Sequence, residues 1–426
     1  MRALTPEACI KPLPRARVRQ AVILVGGKGT RLGDLTRATP KPMMQITHDR
    51  CFLDYIIENL ARQGFDRITL LAGYLGDQVV AEYHGQDRRG ARIEVAVEAQ
   101  PMGTGGALRE AAPLLEERFL LLNGDTFFDI AYRSLETAAT HQAGVKAVMA
   151  LRRVPDCARY GSVRLNQGRI SAFVEKDTSE AGEGLINAGI YLLDRNIVDH
   201  IPLGVSSLET DVFPALVKTN NLAGCELDGF FIDIGLPDTL AEAREELPSR
   251  YERPALFLDR DGVINADHGY VHKWSQFDWV AGAVEVIATF NAAGYFVFVV
   301  TNQAGVAHGY YGEDAIHLLH EQIQDRLAAA GAHVDAFYYC PYHPEGALAE
   351  YRRHHDDRKP GPGMLNRALA DWPVNPKHSF LVGDKDSDIA AARSAGLDGL
   401  LFPGGNLLEF LQTHDRLPRG SSAAVE

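Results

Sequence analysis

Twice in this chain a short apolar run of strand length ends in a loop suited to phosphate. Val22-Ile23-Leu24-Val25 runs into Gly26-Gly27-Lys28-Gly29-Thr30-Arg31-Leu32, and Ala255-Leu256-Phe257-Leu258 runs into Asp259-Arg260-Asp261-Gly262. Continuous apolar runs between turn signals read as strands buried on both faces, which calls for a parallel sheet covered by helices. The two junctions stand more than half the chain apart and differ in design. Together with a length of 426 residues, more than one hydrophobic core usually serves, they predict two domains with two sites.

The pattern between them supports this. Strands are expected at Ala21–Val25, Arg67–Leu71, Ile93–Val97, Phe119–Leu122, Val145–Leu151 and Ile186–Leu193, with a helix over Leu53–Gln63 closed by Gly64. Such alternation predicts an α/β fold with a largely parallel sheet. Ser206, three residues before Glu209, reads as a capping box. The proline-bracketed segment Leu247–Pro254 reads as a linker. The alternation then restarts with strands at Ala255–Leu258, Phe296–Val300 and Ser379–Val382 and a helix near Ala283–Ala293. A further helix carries Ile316, Leu319, Ile323 and Leu327 on one face and ends at Gly331. The tail beyond about Arg416 is small and polar and is expected to be disordered. The domains are expected over 20–247 and 254–412.

Hydrophobic content of 46% and charged content of 23% are those of a soluble globular protein. A net charge of −13 argues against nucleic acid or an anionic membrane as partner. No apolar run approaches the ~20 residues that span a bilayer. Met1–Gln20 has basic residues with no apolar stretch behind them, unlike a secretory signal. Five scattered cysteines read as reduced thiols, hence a cytoplasmic protein. A homo-oligomer is left open.

Phosphoryl transfer through a covalent intermediate needs a carboxylate nucleophile, a cation against converging negative charge and a proton donor for the leaving oxygen. Asp259 and Asp261 can reach one site at the carboxyl end of their strand. Thr301-Asn302-Gln303, Arg358-Lys359-Pro360 and Gly383-Asp384-Lys385 with Asp388 follow in order. They offer hydroxyl and amide donors, a cation and further carboxylates. This set resembles the haloacid dehalogenase superfamily of aspartate-nucleophile phosphatases over about 254–412, implying a haloacid dehalogenase-like fold with a minimal cap. By that resemblance Asp259 is the nucleophile and Asp261 the general acid/base, while Thr301 and Lys359 hold the phosphoryl group. Asp259, the Asp261 carbonyl and Asp384 bind Mg²⁺ with Asp388 in support, and Asn302 and Lys385 join the substrate site.

The run Asn265-Ala266-Asp267-His268-Gly269-Tyr270-Val271-His272 resembles the heptose 1,7-bisphosphate phosphatases. Arg358 fits that group and is suited to a second phosphate through a bidentate guanidinium. Many members hold the preceding loop with zinc on a Cys-x-His and a Cys-x-Cys pair. Here Cys340-Pro341-Tyr342-His343 and His355-Asp356-Asp357 stand there. Cys340, His343, His354 and His355 can be drawn as a zinc set, but with thiolates missing the expectation is a loop without metal.

The glycine-rich loop Gly26–Leu32 offers amides to phosphate oxygens, with Lys28 and Arg31 adding charge. Leu32 stands where a dinucleotide fingerprint needs its third glycine, and Gly-Lys is not followed by Ser or Thr as in a P-loop. Pro40-Lys41-Pro42-Met43, the Gln100–Ala107 glycine turn, Asn123-Gly124-Asp125, Glu175-Lys176, Asn187-Ala188-Gly189 and Phe231–Gly235 follow. The stretch 20–245 resembles the Rossmann-like sugar-1-phosphate nucleotidyltransferases, and Asn123–Asp129 with the Asp-Ile-Gly element is most similar to heptose-1-phosphate guanylyltransferases. The resemblance implies that Gly26, Gly27, Gly29, Thr30, Arg31 and Lys41 handle the triphosphate. Asp125 and Asp233 hold Mg²⁺, and Lys176 binds the sugar phosphate. Gln100 and Gly105 lie by the base, and Asn187 and Gly189 by the sugar.

Joined, the two resemblances imply successive steps of nucleotide-activated heptose synthesis on sugar phosphate and nucleoside triphosphate substrates. The same chemistries with another sugar or triphosphate stay open, as does one domain serving only as a binding or oligomerisation module.

Overall fold

The computed structural model describes residues 18–142, 144–157, 162–174 and 182–418. The chain divides after Pro248 into two compact units. Lys176 and the segment after 418 lie outside the described residues.

The first unit holds strands β1 (Gln20–Val25), β2 (Arg67–Ala72), β3 (Asp87–Arg88), β4 (Ala91–Val97), β5 (Arg118–Asn123) and β6 (Thr126–Phe128). They are followed by β7 (Ala147–Val154), β8 (Ser162–Asn166), β9 (Arg169–Val174), β10 (Gly184–Asp194), β11 (Leu222–Glu226) and β12 (Phe231–Asp233). Ten form one sheet in the order β3-β4-β2-β1-β5-β10-β7-β11-β9-β8. The part around β1 is parallel, as the apolar runs predict: β4, β2, β1 and β5 share one direction. From β10 onward the sheet is mixed, because β10 pairs antiparallel with both β5 and β7 and a β8–β9 hairpin extends the edge. Antiparallel partners need no helical crossover, so the strand–helix rhythm carried no sign of them. The core packs Val22, Leu121, Met149 and Tyr191 with Phe213. Outside the sheet, β12 pairs with β6 so that Asp233 stands opposite Thr126.

Two local expectations change. Ser207, not Ser206, caps the helical turn Leu208–Val212, accepting the Thr210 amide at 3.3 Å. Ser206 is buried, and its carbonyl accepts the Gly105 amide at 2.9 Å, which ties it to the glycine turn instead. The expected linker is half helix: Pro237–Tyr251 runs straight through Pro248. Leu247 is fully buried, and that packing outweighs the local cost of a proline in a helix.

The second unit has strands β13 (Ala255–Leu258), β14 (Phe296–Asn302), β15 (Ala336–Cys340), β16 (Phe380–Gly383) and β17 (Asp398–Leu401). They form an all-parallel sheet ordered β15-β14-β13-β16-β17. On one face Leu256, Leu258, Val297 and Val299 pack against Leu319, Ile323 and Leu327, the predicted stripe of the helix Glu313–Ala329. On the other, Phe298 meets Phe257 at 5.2 Å, Tyr338 at 6.1 Å and Trp372 at 5.3 Å between ring centroids. Alternate residues of β13 and β14 thus serve two cores, and their carboxyl ends are left for chemistry.

All three tryptophans, Trp274, Trp279 and Trp372, belong to this unit, so their emission reports its unfolding. Phe298→Ala is expected to lower the stability of the unit by ~3–5 kcal/mol, read as a shift of the tryptophan transition to lower denaturant.

Two candidate active sites

Four carboxyl ends of neighbouring strands build the site of the second unit. Asp259 follows β13, Thr301 lies in β14, the Arg358-Lys359 loop comes after β15, and Asp384 follows β16. Lys359 is the centre. Its ammonium lies 2.9 Å from Asp259 Oδ1, 2.6 Å from Asp388 Oδ1 and 2.8 Å from the Val300 carbonyl, which uses its three donors. Burial alone would lower the lysine pKa, but the carboxylates Asp259 and Asp388 raise it overall. Burial pushes Asp259 up to about 7 against the pull of Lys359. Thr301 is buried and its hydroxyl accepts the Gln303 amide at 2.9 Å.

Asn302 has a different place from the one expected. Its Nδ2 donates to the Lys359 carbonyl and its Oδ1 accepts the Lys359 amide, each at 3.1 Å. It grips the backbone of the lysine, since the end of β14 sets its amide edge-on to that loop. Lys385 is likewise paired, with Asp267 at 3.1 Å and Asp384 at 3.5 Å.

Asp261 is held from three sides. Arg260, fully buried, places Nη2 2.8 Å from Oδ2, while Asn265 and Gln303 donate at 3.0 Å. Tyr311 steadies Gln303 through a 2.8 Å hydrogen bond. Arg260, Asn265 and Gln303 stand within the sequence motifs, but neither they nor Tyr311 carry a local sign of this role, because nothing local in sequence says that these loops converge. The Asp261 carboxylate stands outside the acidic group that the described residues form. That group is Asp259, Asp384 and Asp388, with ligand atoms within 4.8 Å of one another. Asp388, expected in a supporting place, is therefore within this group.

The group fits a divalent cation. Asp384 Oδ1 is buried with no hydrogen-bond partner, and burial followed by the charge of Asp388 holds the Asp384 pKa above the usual carboxylate range despite Lys385. Gly262, at φ 96°, allows the approach, since a Cβ there would lie 2.4 Å from Asp384 Oδ2. In the neighbouring loop the ring nitrogens Nδ1 of His343 and His355 accept backbone amides of Glu345 and Asp357 at 3.1 Å. His355 also stacks on Tyr342 at 4.6 Å.

In the first unit a cavity of about 560 Å³ opens at the carboxyl ends of β1 and β5. Gly26, Gly27, Lys28, Lys41, Gln100, Asn123 and Asp125 line it. Lys41 Nζ lies 2.5 Å from Asp125 Oδ2. Thr126 Oγ1 sits 3.4 Å from Asp125 Oδ1 and 3.2 Å from Asp233 Oδ2, so the β6–β12 pairing joins the two carboxylates. Burial, then the charge of Asp125, raises the Asp233 pKa.

Other expected residues stand back from this cavity. Arg31 and Thr30 are exposed and do not line it, because the segment Thr30–Thr36 turns to bury Leu32. Gly29 supports the Lys41 side chain from behind. Gly105 faces Ser206, while Gly103 and Thr104, one helical step earlier, line the cavity. Asn187 donates to the Tyr191 hydroxyl at 2.8 Å, and Gly189 packs behind Asn123. Glu98 and Glu209 also line the cavity. Acidic residues in a pocket expected to take a triphosphate had no sequence signal.

Three converging carboxylates, Asp259, Asp384 and Asp388, predict a metal-dependent stability. Mg²⁺ at ~100 times its dissociation constant is expected to stabilise the second unit by about 2.7 kcal/mol, seen as a higher Tm by tryptophan emission that EDTA reverses. Asp384→Asn is expected to remove most of the rise.

The nucleotidyl transferase family model matches residues 20–250, and the HAD-hydrolase-like model matches 357–415. A D-glycero-beta-D-manno-heptose-1,7-bisphosphate 7-phosphatase of Rhodopseudomonas palustris is 45% identical over 160 residues, which are 38% of this chain and 89% of that protein. A D-glycero-alpha-D-manno-heptose-1,7-bisphosphate 7-phosphatase of Burkholderia mallei is 45% identical over 148 residues, 35% of this chain and 78% of that protein. A D-glycero-alpha-D-manno-heptose 1-phosphate guanylyltransferase of Campylobacter jejuni is 36% identical over 220 residues, 51% of this chain and 96% of that protein. The chain belongs to the nucleotidyl transferase family through its first unit and to the HAD-like heptose bisphosphate phosphatases through its second.

Proposed function

We propose that the second unit hydrolyses the C7 phosphate of D-glycero-D-manno-heptose 1,7-bisphosphate and that the first transfers GMP from GTP to the heptose 1-phosphate. The products are GDP-heptose, a precursor for lipopolysaccharide or S-layer glycan made in the cytoplasm, and pyrophosphate. The observation that carries the reading is that each unit brings a lysine and the carboxylates its chemistry needs to one strand edge.

In the phosphatase step Asp259 attacks phosphorus, and the bond to the C7 oxygen breaks as Asp261 donates a proton to it. Asp261 then takes a proton from the water that hydrolyses the aspartyl phosphate. Lys359, fixed by Asn302, keeps Asp259 available as a carboxylate and offsets charge on the transferring group. Asp259, Asp384 and Asp388 would hold Mg²⁺, which when bound supplies further charge neutralisation. In the transferase step the sugar phosphate oxygen attacks the α-phosphorus in line, with no covalent enzyme intermediate. Lys28, Lys41 and the glycine amides position charge, and Asp125 and Asp233 would hold the magnesium. Lys176 is the proposed contact to the sugar phosphate.

The anomer follows from the pairing. Hydrolysis at C7 leaves C1 untouched, so both units must take the same anomer. The guanylyltransferase relative is named for the α form and the phosphatase relatives for either form, and we assign the α form to both steps here.

Glu98 supports guanine. Its Oε2 accepts the Met102 amide at 3.1 Å, and Oε1 lies over Gly26 and Gly73 at the cavity wall, where a Cβ on Gly73 would come within 2.1 Å. A carboxylate repels phosphates, so its place is by the base. Guanine is the base whose Watson–Crick edge presents two adjacent N–H donors. Burial holds the Glu98 pKa above the usual carboxylate range, a penalty that two such donors would offset.

Asp259→Asn is expected to abolish phosphate release, by at least about a hundredfold, and to spare pyrophosphate release from supplied heptose 1-phosphate and GTP. Asp125→Asn should do the reverse. Loss of both activities in either folded variant would refute two separate sites. Glu98→Gln places an amide donor against guanine, and a rise of about tenfold or more in KM for GTP is expected, measured by pyrophosphate release with ATP as the comparison.

A further inference from the structure

Asp261 sits in a closed circuit of contacts that runs through two loops. Arg260 Nη2 donates to Asp261 Oδ2 at 2.8 Å and to the Val271 carbonyl at 2.5 Å. His272, the next residue, stacks on Tyr311 at 4.5 Å between ring centroids with the planes 14° apart. The Tyr311 hydroxyl donates to Gln303 Oε1 at 2.8 Å, and Gln303 Nε2 returns to Asp261 Oδ2 at 3.0 Å. The loops after β13 and β14 thus brace one carboxylate from two directions.

We propose that Tyr311 is a positioning residue for the phosphatase step: its hydroxyl fixes the amide of Gln303 and, through it, aims the Asp261 carboxyl group at the leaving oxygen. The inference rests on the phosphatase reading and adds to it a residue one step removed from the proton donor. Three observations carry it.

The first is that Gln303 is fully committed. It is 1% exposed, and its backbone N–H donates to the Cys340 carbonyl at 2.8 Å. Nε2 donates to Asp261 and, at 2.9 Å, to Thr301 Oγ1, and Oε1 accepts from Tyr311. Without the phenol a buried acceptor is left unpaired, a larger loss than the bond itself, and nothing holds that end of the amide.

The second is that Tyr311 is itself fixed. The stack with His272 covers one face of its ring, and a Cβ at Gly305 would lie 2.3 Å from Tyr311 Cε1, so only glycine there lets the ring come so close. Burial pushes the phenol up to about 12, which keeps its proton available as a donor at neutral pH.

The third is where the partners of Asp261 come from. Arg260 and Asn265 belong to the same loop as Asp261 and move with it. Gln303 belongs to the end of β14, and the same amide holds Thr301. One side chain therefore sets the proton donor relative to the residue proposed to hold the phosphoryl group, and Tyr311 sets that side chain. Alignment of this kind acts on the rate of the chemical step.

The test compares the wild type with Tyr311→Phe and Gln303→Leu on two esters. Heptose 1,7-bisphosphate releases an alkoxide that needs a proton, whereas 4-nitrophenyl phosphate releases a phenolate that is stable without one. The parameter is kcat/KM, which ends at departure of the leaving group and leaves out the later attack of water. Tyr311→Phe keeps the ring on His272, with circular dichroism as the folding control. It should lower kcat/KM for the bisphosphate about tenfold, the scale of one buried acceptor left unpaired, and leave the aryl ester within about twofold. Gln303→Leu should show the same preference, and adding Tyr311→Phe to it should cause no further loss. Equal losses on the two esters would place the effect in the fold or at Thr301, and additive losses would show that Tyr311 does not act through Gln303. Either result overturns the proposal, as does no loss at all. Exchange of the Gln303 side-chain amide protons, identified by their absence from Gln303→Leu, needs no turnover. It should be about tenfold faster or more in Tyr311→Phe, and equal rates refute the link. A wild type that releases no phosphate from the bisphosphate overturns the phosphatase reading instead, and the exchange rates still judge the contact.

Discussion

In each unit a lysine ammonium rests on a carboxylate just beyond the carboxyl end of a buried strand. Lys41 meets Asp125 at 2.5 Å and Lys359 meets Asp259 at 2.9 Å. Strands buried on both faces end among apolar neighbours, so a carboxylate there loses solvation and resists ionisation unless a cation stands beside it. In the second unit the lysine makes the anionic form of Asp259 tenable, and the rest of each site is arranged around its lysine–carboxylate pair. In the second unit this extends to Asn302, which holds the lysine backbone, and to Asp388, which accepts another hydrogen bond from the ammonium.

The pairs differ in surroundings, and the chemistry proposed for each unit follows from the difference. Lys359 and Asp259 are almost wholly buried with two further carboxylates at hand, a compact box suited to forming and breaking one covalent bond. Lys41 and Asp125 line an open cavity whose glycine backbones leave space for a nucleotide. There the protein positions reactants and offsets charge, and no side chain needs to become a nucleophile.

Much of this was legible in the amino-acid order. The apolar runs of β1, β5, β13 and β14 identify themselves, and polar residues directly after them mark the edge where ligands bind. What stayed hidden depends on loops meeting across long separations. Nothing near Asn302 announces that it will bond both backbone atoms of Lys359. Nothing near Glu98 reveals that its carboxylate lies over Gly26 and Gly73. Ser206 and Ser207 are equally good caps by local rules, and only the burial of Ser206 against the glycine turn separates them. Arg31 and Gly105 lie outside the cavity lining, where the turn burying Leu32 and the helix starting at Gly103 place them.

The sequence by itself determined the α/β class, the two phosphate-handling strand ends and the order of the charged residues that serve them, because hydrophobic period and turn chemistry are local properties. Tertiary structure alone decided which of those residues meet. It placed Asp388 among the acidic group, left the Asp261 carboxylate to Arg260, Asn265 and Gln303, and gathered Tyr270, His308, Tyr310 and His343 into one ring cluster. Such outcomes turn on a few ångströms between loops, and those distances are set by the packing of the sheets beneath them.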